Sequence, residues 1–271
     1  MVQSIVLQTF RMSTRQYEHP DRLVQSITDW WENHLSRDGF TIAFRHFAHA
    51  LWEFARESTL QQKRKRYGDV DFDWDHRVDT TSATVGWHDR LLGALNSPYQ
   101  PTEEPLFHEM IVSLNVNFRE FTFIDIGSGK GRTLLMASNY PFRRILGVEL
   151  LPGLHYVAEQ NIAKYKSDSQ LCHALESICI DARKFVFPME PMVLYLFNPL
   201  PAQGLDDVLT NLEQSLQTNP RPVFALYHNP EHEHLFTQRR FLQKIRGTHQ
   251  YSLFSNNLAE SSFSSLQPSL E

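Results

Sequence analysis

The sequence predicts an α/β fold built on a doubly wound, mostly parallel sheet. From Phe121 onward, short apolar segments rich in β-branched and aromatic residues alternate with helix-forming segments, which is typical of βαβ units. The segment 121–132, FTFIDIGSGKGR, places a strand, a glycine-rich loop and a helix start in direct succession. That arrangement lets a ligand approach bare backbone and meet the N–H groups of a helix N-terminus.

Each predicted element of this core has its own apolar pattern. Strands are predicted at 121–126, 144–149, 176–181, 191–197 and 222–228. Helices are predicted between them at 131–139, 153–165 and 204–217, and another at 103–114 precedes the first strand. Two further β-like segments, 241–245 and 250–254, fit an antiparallel hairpin at the sheet edge.

The residues before the core predict a separate helical part. Helices are expected at 21–35 and 41–57, joined by a turn at Asp38-Gly39 and paired through an aromatic seam. The predicted organisation is a helical N-terminal extension or cap at 1–75, a loop with the pre-core helix at 76–120, the core domain at 121–255 and a flexible tail at 256–271. Whether the two helices cover the core or form a dimer surface stays open.

Composition limits the class of protein. Of the 271 residues, 41% are apolar and 21% charged, as in ordinary globular proteins, and the formal net charge of −5 carries no global signature of nucleic-acid binding. No segment approaches the length of a membrane span. Cys172 and Cys179 are the two cysteines, too few for a disulfide framework. We therefore expect a cytoplasmic protein.

Polar side chains follow successive predicted strands: Asp125, Glu149, Asp181 and Asn198. Ligands of open α/β sheets bind at this carboxyl edge, so the set predicts a nucleoside-type cofactor site. A dinucleotide site is the alternative, but its fingerprint is G-x-G-x-x-G, and here Arg132 occupies the third glycine position. An acid directly before the loop would also repel two phosphates.

The D-x-G-x-G-x-G pattern resembles the first motif of class I S-adenosylmethionine-dependent methyltransferases, and the resemblance covers about residues 99–255. It implies a Rossmann-like, seven-stranded sheet that binds S-adenosyl-L-methionine. In that family, the acid and glycine loop hold the methionine moiety, the second acid the ribose, and the third acid with the next backbone N–H the adenine. The implied cofactor-binding residues are Asp125, Gly127, Ser128, Gly129, Gly131, Arg132, Glu149, Leu150, Asp181, Ala182, Asn198 and Thr102.

The segment Asn198-Pro199-Leu200-Pro201 is similar to the N-P-P-Y/F motif of enzymes that methylate amino nitrogens. In those enzymes the Asn side chain and the following carbonyl accept hydrogen bonds from the target nitrogen, which is a task of positioning. The resemblance implies that Asn198 and the loop around Tyr99 face the acceptor. Pro201 replaces the aromatic ring that usually stacks on a base, so an amine of a small molecule or protein is favoured over a nucleobase.

Several alternatives remain open. The block FIDIGSGKGRTLL…GVELLPGL also resembles histone-lysine methyltransferases that lack a SET domain, which leaves protein lysine possible. A nucleic-acid N-methyltransferase would use the basic segment 63–66 on phosphates. A non-catalytic module that binds S-adenosylmethionine is the third alternative. No metal site is predicted, because the aspartates of 69–75 lack the glycine and glutamate of a calcium loop and His232 and His234 are only two residues apart.

Overall fold

A computed structural model describes residues 28, 31–32, 35–36, 39–57, 70–81, 100–256 and 258. The chain divides into two compact units, one of Met1–Lys65 with Val85–Pro98 and the other of Arg66–Thr84 with Tyr99–Glu271. The first unit contains helix α1 (Phe40–Glu57), which confirms the predicted helix at 41–57. Most of the helix predicted at 21–35 lies outside the described residues. The role of this extension stays a prediction.

The second unit is built on a seven-stranded sheet with the order β3-β2-β1-β4-β5-β7-β6. The first five strands are parallel, and β7 runs antiparallel to both β5 and β6. The strands are β1 (Thr122–Ile126), β2 (Arg144–Glu149), β3 (Leu175–Cys179), β4 (Met192–Phe197), β5 (Val223–His228), β6 (Gln243–Gly247) and β7 (Tyr251–Ser255). This confirms the predicted doubly wound, seven-stranded Rossmann-like sheet with its edge hairpin.

Helices cover both faces of the sheet, so the central strands are buried on both sides and their sequences are continuously apolar. The helices of this unit are α2 (Val70–His76), α3 (Glu104–Val112), α4 (Arg132–Ala137), α5 (Pro152–Lys164), α6 (Ala202–Thr218) and α7 (Glu233–Thr237). One core layer joins Phe107 of α3 and Leu134 of α4 to Phe123. The other joins Leu209 of α6 to Ile124. No helix in the described ranges is long and apolar enough to cross a membrane.

The strand order reverses between β1 and β4, which lie side by side although β2 and β3 intervene in sequence. Such a reversal opens a crevice at the carboxyl ends of the strands, where open α/β sheets bind ligands. The residues that follow β1, β2 and β4 therefore meet at one edge.

Two predicted boundaries are corrected. The third strand ends at Cys179 and not at 181, because the Asp181 side chain accepts the Arg183 N–H and begins a 3-10 turn at Ala182–Lys184. The predicted tail includes Asn256, but that residue is buried. Its Oδ1 accepts the Val223 N–H at 3.1 Å and its Nδ2 donates to the Arg221 carbonyl at 2.7 Å.

Asn256 is thus expected to fasten the end of β7 to the start of β5. Asn256→Ala should lower the free energy of unfolding by about 1–3 kcal/mol, because it leaves a buried carbonyl and N–H without their partner. Asn256→Asp keeps the acceptor oxygen but sets a second oxygen against the Arg221 carbonyl, so it should destabilise at least as much. Urea unfolding measures both variants, and wild-type stability in either one contradicts this role.

Candidate functional site

The glycine-rich loop joins β1 to α4 and has three residues in the left-handed region. Gly127, Gly129 and Gly131 have φ of 80°, 53° and 81°, values that residues other than glycine rarely adopt. The N–H groups of Gly127 and Ser128 donate to the Val148 carbonyl at 2.8 and 3.1 Å, which fastens the loop to β2. Gly131 is the N-cap of α4. The structure thus gives a physical reason for all three glycines of the motif.

The loop that follows β4 packs directly on this glycine loop. A Cβ at Gly127 would lie 2.6 Å from Cβ of Pro199, closer than real Cβ contacts. The residue before Pro199, Asn198, also takes a left-handed conformation with φ 40°. The first and fourth sequence motifs are therefore in contact, as the edge of a doubly wound sheet requires.

Asp125 lies beneath the loop with only 3% of its surface exposed, and the Thr133 hydroxyl donates to its Oδ2. Burial raises the pKa of Asp125 to about 7, and the nearby Glu149 charge adds to that rise while the Thr133 hydrogen bond opposes it. With this pKa the carboxyl gains or loses a proton near neutral pH. A cationic group bound nearby would favour its ionised form.

Glu149, at the end of β2, holds two backbone segments. Its Oε2 accepts the Gly129 N–H at 2.8 Å, and its Oε1 accepts the Leu151 N–H at 2.7 Å. A carboxylate offers about four lone-pair sites. Glu149 therefore braces the glycine loop against the start of α5.

Asp181 is placed differently from the strand end that the sequence predicts. Its carboxylate is paired with the Arg183 guanidinium, with the Nη2–Oδ2 distance at 2.6 Å. Although burial alone would raise it, the hydrogen bonds and charge of Arg183 lower the pKa of Asp181. Ala182 beside it is buried, and Leu150 presents an exposed apolar side chain after β2.

The segment 70–81, which we call the strap, is fastened to the glycine loop by a buried lysine. Lys130 Nζ donates to Asp79 Oδ1 and to the Thr81 carbonyl, both at 2.9 Å. Asn161 of α5 completes the joint, because its Oδ1 accepts the Asp79 N–H while its Nδ2 donates to the Asp79 and Lys130 carbonyls. The strap is thereby joined both to the glycine loop and to α5.

Arg132 is likewise turned onto the strap. Its guanidinium lies 4.4 Å from the centroid of the Phe72 ring, and its Nη1 donates to Thr80 Oγ1 at 3.4 Å. Asp73 in turn accepts hydrogen bonds from Thr80 and Thr81. The Arg132 guanidinium thus packs on the strap, and the predicted role of Arg132 as a cofactor ligand stays a prediction.

The residues predicted at the acceptor end separate into two groups. Asn198 Oδ1 accepts the Tyr227 hydroxyl at 2.8 Å, and that hydroxyl oxygen accepts the His232 N–H at 3.2 Å. Thr102 is hydrogen-bonded through Oγ1 to the Tyr195 hydroxyl at 2.7 Å, and its place near the cofactor stays a prediction. Tyr99 lies outside the described residues, and its role stays a prediction.

A buried polar chain continues from Thr102 across the sheet. The Tyr195 hydroxyl lies 2.8 Å from Nδ1 of His228, at the end of β5. Burial lowers the pKa of His228 to about 4 and raises that of Tyr195 well above its ordinary value. Both side chains are therefore uncharged at neutral pH.

Some site residues were not identified from the sequence as site residues: Lys130, Asn161, Asp79, Tyr195 and Gly147. Gly147 accommodates Ser128, whose Oγ would lie 2.6 Å from a Cβ there. A lysine inside a glycine loop was an available signal for a buried ion pair. The partner of that lysine, 51 positions away, carried no sequence signal.

No family model matches the sequence, and no curated protein is significantly similar to it. Similar solved structures include an RNA methyltransferase from Salinibacter ruber in complex with S-adenosyl-L-homocysteine, at 17% identity and a TM-score of 0.36, covering 59% of this chain and 94% of that one. The rRNA methyltransferase aviRa from Streptomyces viridochromogenes matches at 12% identity and a TM-score of 0.43. The match covers 62% of this chain and 90% of that one. A precorrin-6y C5,15-methyltransferase from Geobacter metallireducens matches at 11% identity and a TM-score of 0.42. The match covers 57% of this chain and 88% of that one.

Gly127→Ala should damage the site, because it adds a clash with Pro199 to the strain of a positive φ. We expect a loss of stability of about 2 kcal/mol or more. Gly39→Ala is the matched control, since Gly39 has φ 76° but nothing within 4 Å of its Cβ. It should lose only about 1 kcal/mol. Thermal unfolding compares the two, and equal losses would contradict the contact.

The buried Asp125 predicts a loss of stability with rising pH. Its pKa is raised from 3.8 to about 7 in the folded chain, so the folded state binds the extra proton between these values. The contribution of Asp125 to the free energy of unfolding is fully present below the unfolded pKa. It is lost as the pH rises through 7, and the total loss is about 4 kcal/mol. Asp125→Asn should remove this component of a pH series of urea unfolding curves. An unchanged pH slope in the variant would show that Asp125 does not titrate in this way.

Proposed function

We propose that this chain is an S-adenosyl-L-methionine-dependent methyltransferase that transfers a methyl group to an acceptor nitrogen. The observation that carries the proposal is the juxtaposition of the glycine loop with Asp125 and Glu149 at the carboxyl ends of neighbouring strands. The strand-order reversal beside them supplies the crevice.

The electrostatics of the loop favour this cofactor over a dinucleotide. Asp125 is buried under the loop, where a pyrophosphate would meet like charge. The two cations of the loop, Lys130 and Arg132, are only 1% and 3% exposed and are committed to the strap. A cationic amino-acid group, in contrast, would be attracted by the Asp125 carboxylate.

In this proposal the residues at each strand end bind a different part of the cofactor. Asp125 and the glycine loop hold the methionine moiety, and the Glu149 carboxylate accepts the ribose hydroxyls. Asp181 and the Ala182 N–H bind the adenine, for which the Asp181 carboxylate would share its hydrogen bonds with Arg183. The bound cofactor supplies an electrophilic sulfonium methyl group.

The chain's own task is to hold the acceptor in line with that methyl group. Asn198 Oδ1 accepts the Tyr227 hydroxyl, and an amide oxygen can accept two hydrogen bonds. With the following carbonyl, it can accept hydrogen bonds from an N–H of the acceptor. Because Pro199 packs on Gly127, this acceptor loop keeps a fixed distance from the cofactor loop.

Turnover tests the proposal against a module that only binds. We expect the purified protein to convert S-adenosylmethionine to S-adenosylhomocysteine with at least one member of a panel of small amines, peptides and oligonucleotides. Mass spectrometry should show one methyl group added to nitrogen. Transfer to an oligonucleotide would identify the nucleic-acid alternative, and conversion with no member of the panel would favour a binding module.

The ribose assignment predicts a sharp loss in Glu149→Gln. The amide has one acceptor oxygen in place of two, so it cannot accept the Gly129 and Leu151 N–H groups and two hydroxyls together. We expect S-adenosylmethionine affinity to fall at least tenfold, about 1.4 kcal/mol, by calorimetry. Glu190→Gln is the matched control, because Glu190 pairs with Arg144 and Thr122 at the amino edge of the sheet. Equal affinity in Glu149→Gln and wild type would contradict the assignment.

A further inference from the structure

Lys130 lies inside the glycine loop, between Gly129 and Gly131, and only 1% of its surface is exposed. Its Nζ donates to Asp79 Oδ1 and to the Thr81 carbonyl, both at 2.9 Å. A buried ammonium group is costly unless it is paired with an opposite charge and hydrogen-bonded. These two contacts with the strap therefore stabilise a lysine side chain that is directed away from water in the middle of the loop.

The conformation of the glycine loop depends on contacts from outside the loop. Gly129 and Gly131 flank Lys130 with φ of 53° and 81°, and glycine has access to more backbone conformations than any other residue. The Gly129 N–H is held by Glu149 Oε2 at 2.8 Å. At the next residue, the ion pair between Lys130 and Asp79 is a second anchor. A displacement of Lys130 would therefore move the Gly129 N–H relative to Glu149, the residue assigned to the ribose.

The strap presents Asp79 from a well-supported segment. The buried Asp73 accepts the N–H groups of Thr80 and Thr81 at 2.7 and 2.9 Å, and it also accepts the Thr80 hydroxyl. The N–H and carbonyl of Asp79 itself are both bonded to the Asn161 side chain. Because these contacts use the backbone of Asp79, a change of its side chain leaves them available.

Resting on the proposed function, we propose that Asp79 is a positioning residue of the cofactor site, which acts through Lys130 to hold the glycine loop in the conformation that binds S-adenosylmethionine. The strap is docked when Asp79 pairs with Lys130. The docked strap and the bound cofactor then stabilise the same loop conformation, and no contact between them is needed. By linkage, the docked strap raises cofactor affinity by the same factor by which the bound cofactor favours docking.

The two charges of the pair differ in burial, and this predicts what happens when one is removed. The Lys130 side chain is 1% exposed and that of Asp79 is 47% exposed. Loss of Asp79 therefore leaves a cation buried without its ion-pair partner, whereas loss of Lys130 leaves an acid that water can solvate. The flanking glycines allow the loop to rearrange so that the ammonium group reaches water. Removal of Lys130 together with Asp79 should relieve part of this damage.

Calorimetry of the full chain with S-adenosylhomocysteine as the probe tests the positioning role. Asp79→Ala should bind the probe about tenfold more weakly than wild type, or weaker still. Asp79→Asn keeps an acceptor oxygen without the charge, so its affinity should fall between the two. Asp79→Ala combined with Lys130→Met should bind more tightly than Asp79→Ala alone. Wild-type affinity in Asp79→Ala, or a double variant no better than Asp79→Ala, would overturn the proposal.

Urea unfolding without ligand checks that each variant is folded, and Asp79→Asn carries the comparison if Asp79→Ala is not. The matched control is Asp206→Ala. Asp206 of α6 is 41% exposed and pairs with Arg239, which follows α7 and is 16% exposed. This variant should keep wild-type affinity for the probe. An equal loss of affinity in Asp206→Ala and Asp79→Ala would mean that any lost ion pair has this effect, and it would overturn the role of Asp79.

Amide hydrogen exchange tests the reciprocal effect of the ligand on the strap. Saturation with S-adenosylhomocysteine should slow exchange at the N–H groups of Thr80 and Thr81 by about the factor that Asp79→Ala loses in affinity. The amides of β6, the last strand of the sheet, are the internal control and should not change. Exchange at Thr80 and Thr81 that the ligand leaves unchanged would overturn the linkage.

Failure of this inference can be told from failure of the proposed function. Wild type that does not bind S-adenosylhomocysteine would count against the proposed function, and the positioning role would fall with it. Wild type that binds the probe, with the same affinity in Asp79→Ala, would overturn the positioning role alone.

Discussion

The close approach of neighbouring side chains to glycine backbone around the glycine loop is the constraint on which the site depends. Gly127 leaves no room for a side chain against Pro199, and Gly147 leaves none against Ser128. Both contacts bring neighbouring strand ends together at van der Waals distance. Because the three loop glycines also require positive φ, the loop has one conformation that fits between β2 and the loop after β4. Everything assigned to the site is placed relative to that loop.

The charged residues around the loop fall into two groups, cations that pack on the strap and acids that lie at the strand ends. The cations Lys130 and Arg132 are buried against the strap, where Asp79 pairs with Lys130 and where Thr80 and Phe72 contact the Arg132 guanidinium. The acids Asp125 and Glu149 remain at the strand ends. An edge that keeps its acids and buries its cations attracts a positively charged ligand group and disfavours a phosphate. These contacts of Lys130 and Arg132 join the strap to the unit that contains the sheet, although the strap is separated from the sheet in sequence.

Much of the fold follows from local pattern in the sequence. The strands are continuous apolar runs, and the glycine spacing fixes the first loop, so β1, β2, β4 and β5 lie within one residue of their predicted bounds. The third strand was placed too long, because the capping side chain of Asp181 ends it through a local hydrogen bond that competes with the ladder. Asn256 was placed in the tail because a single polar residue does not reveal that both of its amide atoms are satisfied by β5.

The sequence could bring together residues that follow strand ends, but not residues that meet through long-range pairs. Asp125, Glu149 and Asn198 could be located because strand ends share one edge. The strap could not, since Asp79 and Lys130 meet only in three dimensions. Arg132 was assigned to the cofactor from its place in the motif, whereas the Phe72 ring and Thr80 determine where its guanidinium lies. The Thr102–Tyr195–His228 chain likewise joins three separate elements.

Isothermal titration of the wild-type protein with S-adenosylmethionine and, separately, with NAD tests the central claim most directly. An edge that buries its cations against the strap and keeps acids at its strand ends should bind S-adenosylmethionine and S-adenosylhomocysteine with a stoichiometry of about one and give no heat with NAD. Binding of NAD, with none of S-adenosylmethionine, would contradict the account of the glycine loop and of the strand-end acids.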